Sequence, residues 1–350
     1  MKSYQLLDYR QPLAPVETPT PSPKGTELLL KIVASGICHT DLHLIDGGYD
    51  LGQGRWLSFK ERGLVLPRTP GHEIVGRVVA AGPEAAGVEK DKNYLVYPWI
   101  GCRNCPACKA GDEHLCAQPR FLGLQRDGGF SDHVLIPHPR YLLDIGDIDP
   151  KAAAPFACSG LTTFSALKKA GTAIKHSEIL VIGAGGLGLM CVHLVKLMGG
   201  KGAVVIDIDA GKRQAAIKAG AVAALEGNAP DLRAQVQSAV SAGVHVVIDL
   251  VGSAATASLA IDSLAKGGKY ILIGLFGGSI DIPLPTIPLR ALSITGSFVG
   301  SLAELKELLE LAKAEGLPSL PTTACSLHDA NDNLQRLQDG KIIGRAVMIP

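Results

Sequence analysis

Four cysteines fall within fifteen residues of this 350-residue chain: Cys102, Cys105, Cys108 and Cys116, in CRNCPACKAGDEHLC. Thiolates this close in sequence converge naturally on one metal ion. C-x-x-C turns present sulfurs in pairs to the tetrahedral site that a structural Zn²⁺ prefers, at about 2.3 Å. Two disulfides would instead suit a small secreted scaffold, and the chain's length and lack of an apolar N-terminal signal segment weigh against that. An iron–sulfur cluster is the nearer rival, because C-x₂-C-x₂-C opens the bacterial ferredoxin run. Here the last gap is seven residues and no proline follows Cys116, so zinc is the expectation.

A second chemistry is written in glycine. Gly183, Gly185 and Gly188 form G-x-G-x-x-G, with Gly186 and Leu187 between them, directly after EILVI and at the start of an apolar helical run. The motif alone is weak in a chain with 41 glycines, but its setting is specific. The first glycine permits the tight turn, the second lets backbone approach a pyrophosphate, and the third lets helix and strand press together. The helix N-terminus offers free N–H groups to the phosphates. Asp207 lies nineteen residues beyond Gly188, at the end of AVVID, where a carboxylate accepts from the adenosine ribose hydroxyls. The same charge repels a 2′-phosphate and favours NAD over NADP, although Lys212 and Arg213 follow closely enough to soften the repulsion.

These groups need elements to hold them, and the chain changes texture accordingly. Residues 1 to about 150 are rich in proline and short β-like runs such as ELLLKIVASG and EIVGRVVAAG. From about 155 to 298, EILVIG, AVVIDID, VHVVIDLVG, KYILIG and LSITGSF alternate with Ala-rich amphipathic stretches, the pattern of a parallel sheet with crossover helices. Two more helices and the strand RAVMIP close the chain. Such a length predicts two domains rather than one core. Lys and Arg total 34 against 33 Asp and Glu, which leaves no electrostatic footprint for nucleic acid or an anionic membrane. No apolar run approaches the roughly 18 residues that span a bilayer. Free thiolates suit a reducing compartment, so the expectation is a cytoplasmic protein.

The remaining cysteines and histidines are too scattered for spacing to assemble. A lone cysteine is most often a small buried hydrophobe, and a lone histidine a hydrogen-bonded core or surface residue.

GICHTDLH (36–43), PGHE (70–73), the four-cysteine run and GAGGLG together resemble the zinc-dependent medium-chain alcohol dehydrogenases, across essentially the whole chain and in that family's order. The stretch YDLGQGRWLSFKERGLVLP before PGHE, with YPWIGC and PHPRYL after it, is most similar to the bacterial 6-hydroxyhexanoate dehydrogenases. The resemblance implies a β-rich GroES-like catalytic domain over 1–154 and 299–350, carrying a zinc lobe at about 98–118. A Rossmann domain with a doubly wound parallel sheet would fill 155–298. NAD and two zinc ions per subunit are implied with it. Cys38, His72 and Cys158 become ligands of a catalytic zinc, the Cys₂His set known for alcohol dehydrogenases, with the fourth position left for water or a substrate oxygen. Glu73 resembles a carboxylate that approaches the metal during ligand exchange, and Asp41 an acid that orients the histidine ligand.

The same resemblance makes Thr40 and His43 a proton relay, Thr40 meeting the substrate oxygen and His43 reaching solvent. His39 and Arg345 become pyrophosphate contacts, while Thr162 and Leu275 border the nicotinamide. Cys191, His193 and Cys325 are read as packing residues. Trp99 and Phe298, with Val299, would wall the alcohol pocket. The segment 52–63 reads as an insertion beside the entrance, and it brings the cations Arg55, Lys60 and Arg62. One of them would receive the far carboxylate of an ω-hydroxy acid, unless the segment is only a solvated loop. The implied activity is reversible oxidation of primary alcohols to aldehydes, with secondary, polyol or aromatic alcohols as the alternative. Polyol relatives often add a glutamate ligand, and Cys158 weighs against that. A non-catalytic NAD-binding protein is the reading from another class, and it would be expected to lack Cys38, His72 and the cysteine lobe. Pairing of an exposed SITGSF edge strand between copies, and the habit of bacterial relatives, point to a homotetramer built as a dimer of dimers.

Overall fold

The computed structural model describes residues 1–240, 242–318 and 320–350. Its centre is a six-stranded sheet, in the order Ala223–Glu226, Ala203–Asp207, Ile179–Ile182, Val244–Asp249, Leu264–Leu272 and Ser293–Gly296. Every pairing in it is parallel. The inner strands explain why: ILVI at 179–182 is buried along its whole length, as strands covered by helices on both faces must be. The order runs outward from Ile179–Ile182 in both directions, so the strand ends open a crevice beside it. Helix Gly186–Leu197 starts directly after that strand. Helix Ala210–Ala219 starts where the Asp209 side chain accepts the Lys212 N–H and stops at the left-handed Gly220.

A second, seven-stranded mixed sheet joins distant parts of the chain. Leu28–Gly36 pairs with Glu73–Ala81, with His133–Ile136 and with the C-terminal strand Arg345–Ile349. Its register matters for chemistry. Gly36 lies opposite both Glu73 and Val347. The residues just beyond Gly36, just before Glu73 and at the start of the last strand are thereby brought to one corner. Helix Ser159–Ala170, which is almost wholly buried, packs against Gly186–Leu197 and against Leu302–Glu315, linking the two sheets. Among the described residues no helix is long and apolar enough to cross a membrane.

Candidate active site

At that corner stand Cys38, His72, Glu73 and Cys158, all buried, with one donor atom from each lying within 4.8 Å of the others. Cys38 occupies the N-cap of helix His39–Asp46, and Cys158 that of Ser159–Ala170. Asp41 fastens the pieces. Its carboxylate accepts from Cys38 N at 2.9 Å and from Gly71 N at 3.1 Å, and lies 3.6 Å from His72 Nδ1. Trp99 holds the third piece, donating its indole N–H to Ala157 O at 2.9 Å, with its ring 5.2 Å from that of His72.

The donors fit a metal ion. Both ring nitrogens of His72 are buried without a hydrogen-bond partner, which a native interior rarely tolerates. The sulfurs of Cys38 and Cys158 are 3.8 Å apart. The contact between the two sulfurs holds the Cys38 thiol well below its ordinary range and, together with burial, pushes the Cys158 thiol up. Burial alone would lower the His72 pKa, but the charges of Asp41 and Cys38 outweigh it and raise it to about 10. A pocket that so favours positive charge and offers two sulfurs and an unpartnered imidazole matches the donor set of a catalytic zinc. Glu73 has a partner of its own: Arg345 donates to it through Nε at 3.0 Å and through Nη2, and both are buried. Arg345, expected on a phosphate, lines the cavity and also pairs with Glu73.

The cluster lines a cavity of about 910 Å³ that runs between the two sheets. The dinucleotide motif forms its other wall. Gly183 adopts φ +99°, and a side chain on Gly188 would run into the Gly183 carbonyl, so close helix–strand contact requires glycine there. Gly185 caps helix Gly186–Leu197, and a Cβ on it would meet nothing, leaving that backbone open to a ligand. Asp207 sits at the wall with Oδ2 accepting from Ala184 N at 2.7 Å and Oδ1 from Asp209 N at 2.8 Å. Lys212 also reaches the cavity. Arg213 does not line it: the guanidinium donates to the carbonyls of Asp207 and Ile208 and pairs with Glu226 at 3.2 Å.

His39, Thr40, His43, Thr162, Leu275 and Phe298 all line the cavity. The Thr40 hydroxyl lies 3.8 Å from Cys38 Sγ. Burial lowers the pKa of His43. Of the three cations in 52–63, only Arg62 faces the cavity. Spacing gave no hint of Tyr49, whose ring is 4.8 Å from His43 and 5.1 Å from Phe59, nor of Phe121 and Leu124. Burial pushes the Tyr49 hydroxyl up to about 12, so it stays protonated. Trp99, Phe121 and Phe298 form a three-ring wall with centroids 5.3 to 6.2 Å apart.

Away from the cavity, the sulfurs of Cys102, Cys105, Cys108 and Cys116 also lie within 4.8 Å of one another. Cys116 Sγ accepts from Cys102 N at 3.2 Å and from Gln118 N at 3.3 Å. N–H groups of Asn104 and Cys105 draw Cys102 down to about 6, while burial lifts Cys108 to about 12. All eight cysteines are free of disulfides.

Comparisons with known proteins agree with this geometry. Residues 24–147 match the alcohol dehydrogenase GroES-like domain, and residues 186–314 the zinc-binding dehydrogenase family. The chain is similar to the NAD-dependent alcohol dehydrogenase of Saccharolobus solfataricus, with 36% identity over 352 residues and 100% of each chain covered. The crystal structure of the alcohol dehydrogenase from Aeropyrum pernix superposes with a TM-score of 0.89 at 32% identity, covering 100% of both chains. The acetophenone reductase of Geotrichum candidum, in complex with NAD, superposes at 0.84 with 29% identity, covering 100% of this chain and 97% of that one.

Proposed function

From the premise that the chain belongs to the zinc-binding medium-chain alcohol dehydrogenase family, as an NAD-dependent enzyme, we propose that it interconverts primary alcohols and aldehydes, aliphatic alcohols and ω-hydroxy acids among them. The observation that carries this reading is the single cavity joining Cys38, His72 and Cys158 to the glycine turn after Ile179–Ile182. Bound there, zinc would act as a Lewis acid that makes the alcohol O–H acidic, and NAD would accept the hydrogen leaving carbon with its electron pair. Cys38, His72 and Cys158 would hold the metal, with the Asp41 carboxylate 3.6 Å from His72 Nδ1 placed to orient the imidazole. Thr40, beside Cys38, takes the hydroxyl proton and passes it towards His43, which burial keeps neutral and ready to accept it. Gly183 to Gly188 seat the pyrophosphate and Asp207 the adenosine ribose. With Arg213 committed to backbone carbonyls and Glu226, only Lys212 remains to receive a 2′-phosphate, which favours NAD.

Arg62 lines the cavity alongside Leu57, Phe59, Leu64, Phe121 and Leu124, and this cation among apolar side chains gives the ω-hydroxy acid reading its support. The three-ring wall of Trp99, Phe121 and Phe298 supports a second reading, in which flat aromatic alcohols are accepted as well. Following NADH absorbance with 6-hydroxyhexanoate, 1-hexanol and benzyl alcohol tests both. Arg62→Ala is expected to lower the acid-to-hexanol ratio of kcat/KM about tenfold, the value of one exposed charge pair plus its hydrogen bonds. Arg55→Ala and Lys60→Ala, off the cavity, leave the ratio as it is. An unchanged ratio in Arg62→Ala removes the carboxylate reading, and no turnover of benzyl alcohol removes the aromatic one.

The assembly we favour is a dimer of dimers. The edge strand Ser293–Gly296 exposes Ile294, and Leu284 and Leu289, shortly before it in sequence, are exposed as well, apolar surface that pairing of this edge would help to cover. Eight free thiols suit the reducing cytoplasm as its location.

A further inference from the structure

A fully buried carboxylate, that of Asp249, takes no part in the chemistry above. Asp249 ends the strand Val244–Asp249, next to Ile179–Ile182, and is 0% exposed. Its Oδ1 accepts from Val251 N and Gly252 N, each at 2.9 Å, and its Oδ2 accepts from the Tyr270 hydroxyl at 2.9 Å. Tyr270, on the neighbouring strand Leu264–Leu272, is buried too. Burial and the adjacent carboxylate push its phenol well above the ordinary range, which keeps it a donor.

The turn that Asp249 holds does not stand alone. The Asp249 carbonyl accepts from Ile273 N at 2.9 Å and Gly274 N at 3.0 Å. Phe276 N donates to Val251 O at 3.1 Å, and Gly277 N to Gly252 O at 3.0 Å. Gly252 has φ +70°, and a Cβ on it would run into the backbone of Gly274. Two strand-end turns, 250–253 and 273–277, are therefore stitched backbone to backbone, with one carboxylate beneath them. Both face the cavity, the first through Leu250, Val251 and Ser253, the second through Gly274, Leu275 and Phe276. Burying a carboxylate has a desolvation cost that three donors do little more than offset, so its return is fixed geometry rather than net stability.

We propose that Asp249, held by Tyr270, is a positioning residue for the dinucleotide: it sets the paired turns against which NAD seats, without touching it. This rests on the NAD reading above. The test is a fluorescence titration of the full-length enzyme with NADH. The variants are Asp249→Ala, Asp249→Asn and Tyr270→Phe. Val236→Ala serves as a control that empties buried volume on helix Leu232–Ala239, away from the cavity.

Asp249→Ala should weaken NADH about tenfold, the loss expected when the seated turn conformation is no longer the dominant one. Asp249→Asn should stay within about threefold, because Oδ1 still accepts both N–H groups while Nδ2 donates to the Tyr270 oxygen. Tyr270→Phe should weaken NADH about threefold. In each, KM for NAD rises while kcat at saturating NAD holds. Val236→Ala should lower the melting temperature and leave NADH affinity unchanged. A wild-type affinity in Asp249→Ala overturns the proposal, and so does an equal loss in Val236→Ala. Should Asp249→Ala not fold, an unchanged affinity in Tyr270→Phe overturns it. A wild-type enzyme that does not bind NADH overturns the NAD reading itself, and this inference with it.

Discussion

The cysteine lobe and the buried cluster each gather four donors within 4.8 Å, yet the lobe takes its four from fifteen consecutive residues and the cluster from positions 38, 72, 73 and 158. The lobe is all sulfur, and three of its four cysteines are partly exposed. The cluster mixes sulfur, imidazole and carboxylate, is wholly buried, and opens on one side to the cavity. Four like ligands close a tetrahedron and leave no position for a reactant, whereas three protein ligands beside a cavity leave one. On this contrast the proposed roles divide, structure to the lobe and chemistry to the cluster, so perturbing each should move a different observable.

The largest effect belongs to the cluster. Cys158→Ala removes one metal ligand and should lower kcat/KM by at least about a thousandfold, since metal-assisted polarisation supplies several kcal/mol of the rate. Bound zinc should fall from two equivalents per chain to about one, with far-UV circular dichroism unchanged. Retained activity with one zinc would break the contrast outright.

The contrast also explains what could be read without coordinates. The doubly wound sheet announces itself in strands such as ILVI and AVVID, because burial on both faces leaves no room for polar alternation. The lobe is legible for the same local reason: its chemistry lies in its spacing. Cys38, His72 and Cys158 carry no such signal and came only through a family resemblance. What assembles them is a sheet register, Gly36 opposite Glu73, and a carboxylate, Asp41, bonded to two segments at once. The engagement of Arg345 with Glu73, 272 residues apart, follows from the C-terminal strand returning to Leu28–Gly36, and nothing local foretells it. Tyr49 and Phe59 lie in the YDLGQGRWLSFKERGLVLP stretch and Phe121 outside any motif, and none of the three was singled out by its spacing. Aromatic residues in a proline-rich stretch read as core, and only the cavity distinguishes the three.

A middle-sized effect sharpens the cluster side. His43→Ala should lower kcat/KM about ten- to a hundredfold, the usual share of one proton-transfer group. The pH profile carries the sign. As an acceptor His43 must be neutral, and burial lowers its pKa, against the opposing charges of Cys38 and Asp46. The rate should therefore hold as pH falls to the ordinary histidine value of about 6.5 and decline only below it. In His43→Ala that acid limb should move or vanish. A limb centred above about 6.5 in the wild type, or one identical in the variant, would remove His43 from the relay.

The smallest effect lies in the lobe and is the more searching test, because there the contrast predicts that rate stays still. Glu113 is buried beside the lobe, where its carboxylate accepts from Gly101 N at 3.0 Å and from the Tyr141 hydroxyl at 2.8 Å, with Arg140 at 3.2 Å. Those bonds join the cysteine lobe to the strand Leu142–Asp144 through the residue before it. Tyr141→Phe deletes one of the two donors on Glu113 Oε2 and leaves Gly101 N on it, and a hydrogen bond to a charged group is worth about 1.5–3 kcal/mol. The melting temperature should drop by a few degrees, and zinc should leave the lobe sooner on dialysis against a chelator. At 25 °C, however, kcat/KM should stay within about twofold, because no bond to the cavity is touched. If the rate falls tenfold while both zinc ions remain bound, the lobe is coupled to the reacting centre, and the division between a holding site and a working site does not stand.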